Sequence, residues 1–342
     1  MRISMKNILV IIALLFVSLS VLQSQTAEDH IYAGKEKFKL KDYDGAIEEY
    51  TKALRLDPKD AGTYYVRGEV KYDKGDMQGA LDDYSKSIEF DSTFDKPFYE
   101  RGLIRLKLED YNAAIQDFTK TIQLSRKHAY AYSNRGICKV YLKDLAGALE
   151  DYDKAIEYYG KSADFFVRRA VLKSEMSDFS GSLPDYTKAI ELGSKDVLTY
   201  YNRGTSYSRV HDYKNAIADF TKLIEIDPTF AYAYLDRGIA EAELKNNQAA
   251  LEDFTKAIAL DPKNKYAYNS RSELRTDLQD YQGALEDVNK SLEIDPTDAM
   301  NYSNRGSTKA YLKDIEGACK DWKKAIELGF AKAAELVEKF CK

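Results

Sequence analysis

Three histidines, three cysteines and a recurrent pair of adjacent carboxylates are the side chains of this 342-residue chain that could do covalent or acid–base chemistry. Such groups act only where they converge, and their spacing offers no convergent set. His30, His128 and His211 are widely scattered, and neither HExxH, GxSxG nor a phosphate-cradling glycine loop occurs. The string DYDG at Asp42–Gly45 resembles the start of a calcium loop but lacks the further oxygen ligands and the closing glutamate. Paired acids such as Asp82-Asp83 and Glu150-Asp151 recur at one place along the chain. Acids near a helix start favour its dipole, so they are read as solvated structural charges. The chain is therefore expected to be no enzyme, with no cofactor and no metal site.

What remains is the chemistry of recognition, carried by 27 tyrosines and 14 phenylalanines, and the elements that hold them follow from a repeat. The string YSNRG occurs at Tyr132–Gly136 and again at Tyr302–Gly306, five periods of 34 apart. Stepping by 34 from Gly136 gives Gly34, Gly68, Gly102, Ala170, Gly204, Gly238, Ser272 and Gly306, all small. Twelve residues on, Ala46 to Ala318 form a second small column, and four beyond that an aromatic column runs from Tyr50 to Trp322, broken only by Val288. Nine frames fit without insertion or deletion: 27–60, 61–94, 95–128, 129–162, 163–196, 197–230, 231–264, 265–298 and 299–332.

Within a frame the apolar spacing is helical: Leu145, Ala148, Leu149, Tyr152, Ala155 and Ile156 recur at three and four residues. An aspartate or asparagine, from Asp42 to Asp314, stands where a second helix must start and cap itself. Pro58, Pro228, Pro262 and Pro296 end a second helix and open the next frame. The glycine and alanine columns are expected to mark close helix approach. An arginine precedes the glycine from Arg67 to Arg305, and its expected partner is the aspartate of the same frame's second helix, as in Arg135 with Asp151. Frame five departs from the pattern with Ala170, Ser182 and Pro184, so an irregular, softer joint is expected near Ser180–Asp185.

The period of 34, the aromatic of Tyr132 followed by Gly136, and then Ala148, Tyr152 and Ala155 resemble the tetratricopeptide repeat family over Ala27 to about Lys332. The resemblance implies an all-α, right-handed superhelical α-solenoid of nine helix-turn-helix repeats, closed by a capping helix at residues 331–342. In that family the first helices line a concave groove that holds protein or peptide segments. Carried over by position, the lining comprises Tyr65, Tyr99, Leu103, Tyr130, Ile137, Tyr201, Tyr232, Leu235, Ile239 and Tyr266, aromatic and aliphatic through the middle and turning acidic towards Glu69 and Glu273 nearer the ends. The alternative is that these tyrosines stack between frames and only hold the superhelix. The clamp by which family members grip acidic chaperone tails is broken here. Asn134 and Arg168 occupy two of its places, but Tyr99, Leu103 and Asp164 replace others.

Net charge is −5, and no basic run of five residues exists, which argues against nucleic acid as a partner. A protein or peptide partner of unknown identity is expected. The first 26 residues have the layout of a secretory signal: MRISMKN, then the apolar stretch Ile8–Leu22, then QSQTA. That stretch of 15 is short for a membrane span, and the alternative is an uncleaved anchor at 8–22. The expectation is export, to the periplasm or exterior if the source is bacterial, with no membrane contact after cleavage. In an oxidising compartment Cys319 and Cys341, placed about equally on either side of a turn near Gly329, are expected to form a disulfide. The alternative is two small residues buried separately; Cys138 is expected to be core. The competing role is a structural subunit of a cell-envelope assembly that uses its ends or convex face.

Overall fold

The computed structural model describes residues 26–194 and 196–341. The expected secretory signal and the anchor alternative therefore lie outside the described residues, apart from Thr26. Nineteen helices and no strand occur among the described residues. The chain divides into two compact units after Gly160. In the first unit α1 (Ala27–Lys39) pairs with α2 (Tyr43–Leu56), α3 (Ala61–Lys74) with α4 (Met77–Phe90), α5 (Asp95–Lys107) with α6 (Tyr111–Leu124) and α7 (Ala129–Tyr141) with α8 (Leu145–Tyr158). In the second, α9 (Ala163–Glu175) pairs with α10 (Phe179–Glu191), α11 (Val197–Arg209) with α12 (Tyr213–Ile226) and α13 (Ala231–Glu243) with α14 (Asn247–Leu260). There α15 (Lys265–Asp277) pairs with α16 (Tyr281–Ile294) and α17 (Ala299–Tyr311) with α18 (Ile315–Glu327), and α19 (Ala333–Phe340) follows.

The turn inside each pair is set by two residues. The first takes a left-handed backbone, with φ of 61–66° at Lys41, Glu109, Lys143, Ser177, His211, Lys245, Gln279 and Lys313, and 95° at Gly75. The second is the helix cap. Asp42, Asp76, Asp110, Asp144, Asp178, Asp212, Asp280 and Asp314 each accept from the N–H three residues on. Asn246 departs from this: its side chain makes no cap bond and donates instead to Glu241 at 2.7 Å. Pro58, Pro228, Pro262 and Pro296 fall just past the ends of α2, α12, α14 and α16.

The glycine column faces a ring, joined at Gly306 by the Ala318 carbonyl of the second helix. A Cβ at Gly136 would lie 2.8 Å from Cε1 of Tyr152, and one at Gly238 2.7 Å from Cε1 of Phe254. Each ring of the aromatic column is at most 3% exposed. In the eighth frame the two columns change together, Ser272 standing opposite Val288, so the smaller side chain on one helix makes room for the larger on the other.

Frame five corrects an expectation. No break or soft joint interrupts Ser180–Asp185; α10 runs through it as one helix with Pro184 inside, capped by Asp178. Pro184 lies on the exposed side, and the carbonyl that its missing N–H would serve belongs to Ser180, also exposed. Water can satisfy that carbonyl, while Ser182, Asp185, Tyr186 and Ala189 keep the buried face intact. At the other end Cys319 and Cys341 are joined in a disulfide, with Cα atoms 5.7 Å apart. It ties the end of α19 back to α18, where Phe340 packs 5.8 Å from Trp322.

Candidate functional site

An ion-pair seam fixes how the first helices present their outer side chains. From the second frame on, each column arginine donates through Nε and Nη2 to both oxygens of the aspartate sixteen residues later, at 2.5–3.0 Å. These aspartates are 2–6% exposed. Two of them, Asp83 and Asp151, belong to the carboxylate pairs read from sequence as solvated; only their neighbours Asp82 and Glu150 face water. Adjacent residues on a helix diverge by about 100°, so one acid of each pair must turn inward.

In Arg67, Arg101, Arg135, Arg203, Arg237, Arg271 and Arg305 the third guanidinium nitrogen reaches back to the preceding frame, as Arg135 does to Thr119 Oγ1 and Arg203 to Thr187 Oγ1, both at 3.0 Å. One arginine thus pins its own helix to two others. In the first frame His30 and Glu49 take this place, with Nδ1 and Oε2 2.6 Å apart and both residues buried. That hydrogen bond, with help from Lys52 and Lys37, lowers the Glu49 carboxyl to about 2.

The first helices form the inner wall of the second unit: α9 touches α11, α11 touches α13, α13 touches α15 and α15 touches α17. No comparable contact joins successive second helices among the described residues. On this wall a cavity of about 560 Å³ is lined by Tyr201, Tyr232, Leu235, Ile239 and Tyr266 together with Asp236, Asn269, Ser270, Glu273, Asp298, Met300 and Asn301. Five expected groove residues are thus brought together, with different roles. Tyr232 and Tyr266 are 46% and 56% exposed and Ile239 is 39% exposed. Tyr201 is half-buried, its ring 5.3 Å from that of Phe230, and Leu235 is buried in the floor. Burial raises the pKa of Asp236, against the hydrogen bond from the Tyr201 hydroxyl and the nearby Arg209. Oδ1 of Asn269 is buried without a hydrogen-bond partner among the described residues.

In the first unit the expected residues are more absorbed into packing. Tyr65 is buried; its hydroxyl donates to Glu69 at 2.7 Å and its ring lies 5.1 Å from that of Phe94. Tyr99 is half-buried, 4.5 Å from the His128 ring, and its hydroxyl accepts from Asn134 at 3.2 Å. Leu103 and Ile137 are half-buried, while Tyr130 is half exposed beside Tyr159. Glu69 and Glu100 both have pKa values raised by burial, that of Glu100 further by Glu69. The two remaining clamp-like residues are already engaged, Asn134 with Tyr99 and Arg168 with Asp164 at 2.6 Å.

Asp236, Asn269, Asp298 and Met300 were missed from sequence. The period could have found Met300, which is one frame after Tyr266 and two after Tyr232. The histidines remain separate: His128 accepts from the Ala131 N–H at the start of α7, and His211 meets the Tyr213 hydroxyl.

Family profiles described as tetratricopeptide repeat match residues 99–164, 197–230 and 235–299, and one described as TPR repeat matches 34–75. The chain is built of tetratricopeptide repeats. No curated protein matches it significantly. Among solved structures it is similar to the C-terminal part of a TPR repeat-containing protein from Cytophaga hutchinsonii, at 16% identity and a TM-score of 0.60, over 70% of this chain and 98% of that one. A tetratricopeptide repeat protein from Parabacteroides merdae gives 21% identity and 0.51, over 74% and 100%. YrrB, described as a TPR protein with an unusual peptide-binding site, gives 23% identity and 0.51, over 54% and 95%. At these identities the likeness concerns the fold.

Proposed function

We propose that this tetratricopeptide repeat chain is an exported, non-enzymatic scaffold that holds a protein or peptide segment along the inner face of its first helices. The observation that carries the reading is the second unit's cavity, where Tyr232, Ile239, Tyr266 and Met300 expose large apolar side chains around one concave space. Exposed apolar surface gathered in a hollow costs solubility and is usually matched by a partner. Tyrosines suit that role because they offer large area with few rotors and a polar tip. That YrrB, a protein of similar fold, has a peptide-binding site is in keeping with this. Export rests on the leader-like layout of residues 1–26, and the Cys319–Cys341 disulfide suits an oxidising compartment.

The test is panning of a random twelve-residue peptide library on phage against the chain from Gln25 onward. Recovered peptides are resynthesised and titrated by fluorescence anisotropy. The Tyr232→Ala/Tyr266→Ala variant, with unchanged circular dichroism, is expected to lose binding at least tenfold. Equal binding by variant and parent removes the groove from the function.

A further inference from the structure

The walls of the second unit's cavity carry charge of one sign. Asp236 on α13, Glu273 on α15 and Asp298 at the cap of α17 line it, and no lysine or arginine does. Asp298 is already used: it caps Asn301 at 3.1 Å and lies 3.7 Å from Lys265, whose ammonium is held by Asp295 at 2.6 Å. Asp236 and Glu273 are not so matched. Among the described residues Asp236 has the Tyr201 hydroxyl and the nearby Arg209, and Glu273 a long bond of 3.4 Å from Asn304. The adjoining hollow on one side adds Glu243 with Arg209, and that on the other adds Glu243 and Asp277 with Lys245. Anionic side chains therefore outnumber cationic ones along this stretch of wall, with Asp236, Glu243, Glu273, Asp277 and Asp298 against Arg209 and Lys245.

The apolar walls suit the same ligand. Tyr201 and Tyr232 border the space in which the carboxylates stand, and tyrosine faces attract a cation that has shed its water, as the Tyr266 ring does with the Lys265 ammonium 5.2 Å from its centroid. Carboxylates and tyrosine rings in one cavity suit a group that is planar, cationic and rich in donors. Guanidinium is such a group.

We infer that this cavity takes a basic peptide segment, with an arginine side chain seated between Asp236 and Glu273 and apolar neighbours on Tyr232, Tyr266 and Met300. This rests on the groove reading and specifies its occupant. Burial disfavours the Asp236 anion, so a cation seated beside it also relieves that cost.

Sequencing the phage-selected peptides and titrating them against Asp236→Asn/Glu273→Gln tests the occupant separately from the groove. The expected result is enrichment of arginine beside apolar residues, a tenfold or greater loss in that variant, and a similar loss when the peptide arginine is replaced by glutamine. Affinity should also fall several-fold between 50 and 300 mM salt, because the pairing is electrostatic. Peptides that are neutral or acidic, or that bind the Asn/Gln variant as tightly as the parent, overturn the basic occupant while leaving the groove intact if they still fail on Tyr232→Ala/Tyr266→Ala. Peptides indifferent to both variants, or no selected peptide at all, overturn the groove and the occupant together.

Discussion

The arginine seam makes a quantitative prediction, because its frames differ in one respect. In most frames a second cation one helical turn beyond the arginine also touches the buried aspartate, as Arg275 does with Asp287 at 2.9 Å. In the sixth frame that position is Tyr207, and among the described residues Arg203 is the only cation paired with Asp219. The two sites otherwise match: Arg203 and Arg271 are 16% and 13% exposed, and their third bonds go to Thr187 and Thr255. Methionine at either place keeps most of the apolar stem and removes the charge.

Arg203→Met leaves the Asp219 carboxylate buried without a cation, which costs about 3–5 kcal/mol. Arg271→Met leaves Asp287 with Arg275, so only part of the charge-assisted bonding is lost, about 2 kcal/mol. For a unit of this size each kcal/mol moves the melting temperature by about 2–4 °C. Arg203→Met should therefore melt about 2–12 °C below Arg271→Met, read by circular dichroism and calorimetry at pH 7. Equal melting temperatures, or the reverse order, would refute the view that the second cation decides the cost.

The Glu49 carboxyl, held at about 2 in the folded state, is depressed from its ordinary 4.5. Its stabilising contribution is therefore complete above about 4.5 and lost as pH falls through about 2. Hydrogen exchange of α1 and α2 should show an acid limb over that window that Glu49→Gln flattens; an unchanged limb contradicts the assignment. The disulfide closes a loop with a sequence separation of 22, worth about 3 kcal/mol, so Cys341→Ser should raise exchange in α19 and alter Trp322 fluorescence. Unaltered protection of α19 would show that packing alone holds it. Val288→Phe should destabilise because its ring would meet the Ser272 side chain, and Ser272→Gly should recover much of the loss; a double variant no better than the single one rules out the coupled columns. Cys138 is fully buried and its thiol is pushed up to about 12. It should resist thiol reagents at pH 8 until the chain is unfolded, and rapid labelling of the native protein would contradict its core placement.

The sequence by itself determined the repeat, because identical neighbours impose identical constraints. A glycine that faces a ring, an aspartate that caps, and a proline that cannot continue a helix each act over a few residues, so their columns can be counted without coordinates. The arginine–aspartate pairs were legible for the same reason: with two helices and a fixed turn, sixteen residues lead to one facing position. Tertiary structure decided what depends on burial and on several helices at once. It turned Asp83 and Asp151 inward while Asp82 and Glu150 stayed in water. It carried α10 through Pro184 because the freed carbonyl faces solvent. It also sorted the ten expected groove residues, burying Tyr65 and Leu235 while exposing Tyr130, Tyr232, Ile239 and Tyr266. Glu273 was legible as an acidic point of the groove, but its convergence with Asp236 was not, since the two residues lie on different helices and their columns mix Glu69, Glu100 and Arg168 with Ile239, Thr205 and Asn202. Only the packing of α11, α13, α15 and α17 side by side gathers them into one cavity, where a charge that would be ordinary in water becomes a feature a ligand can read.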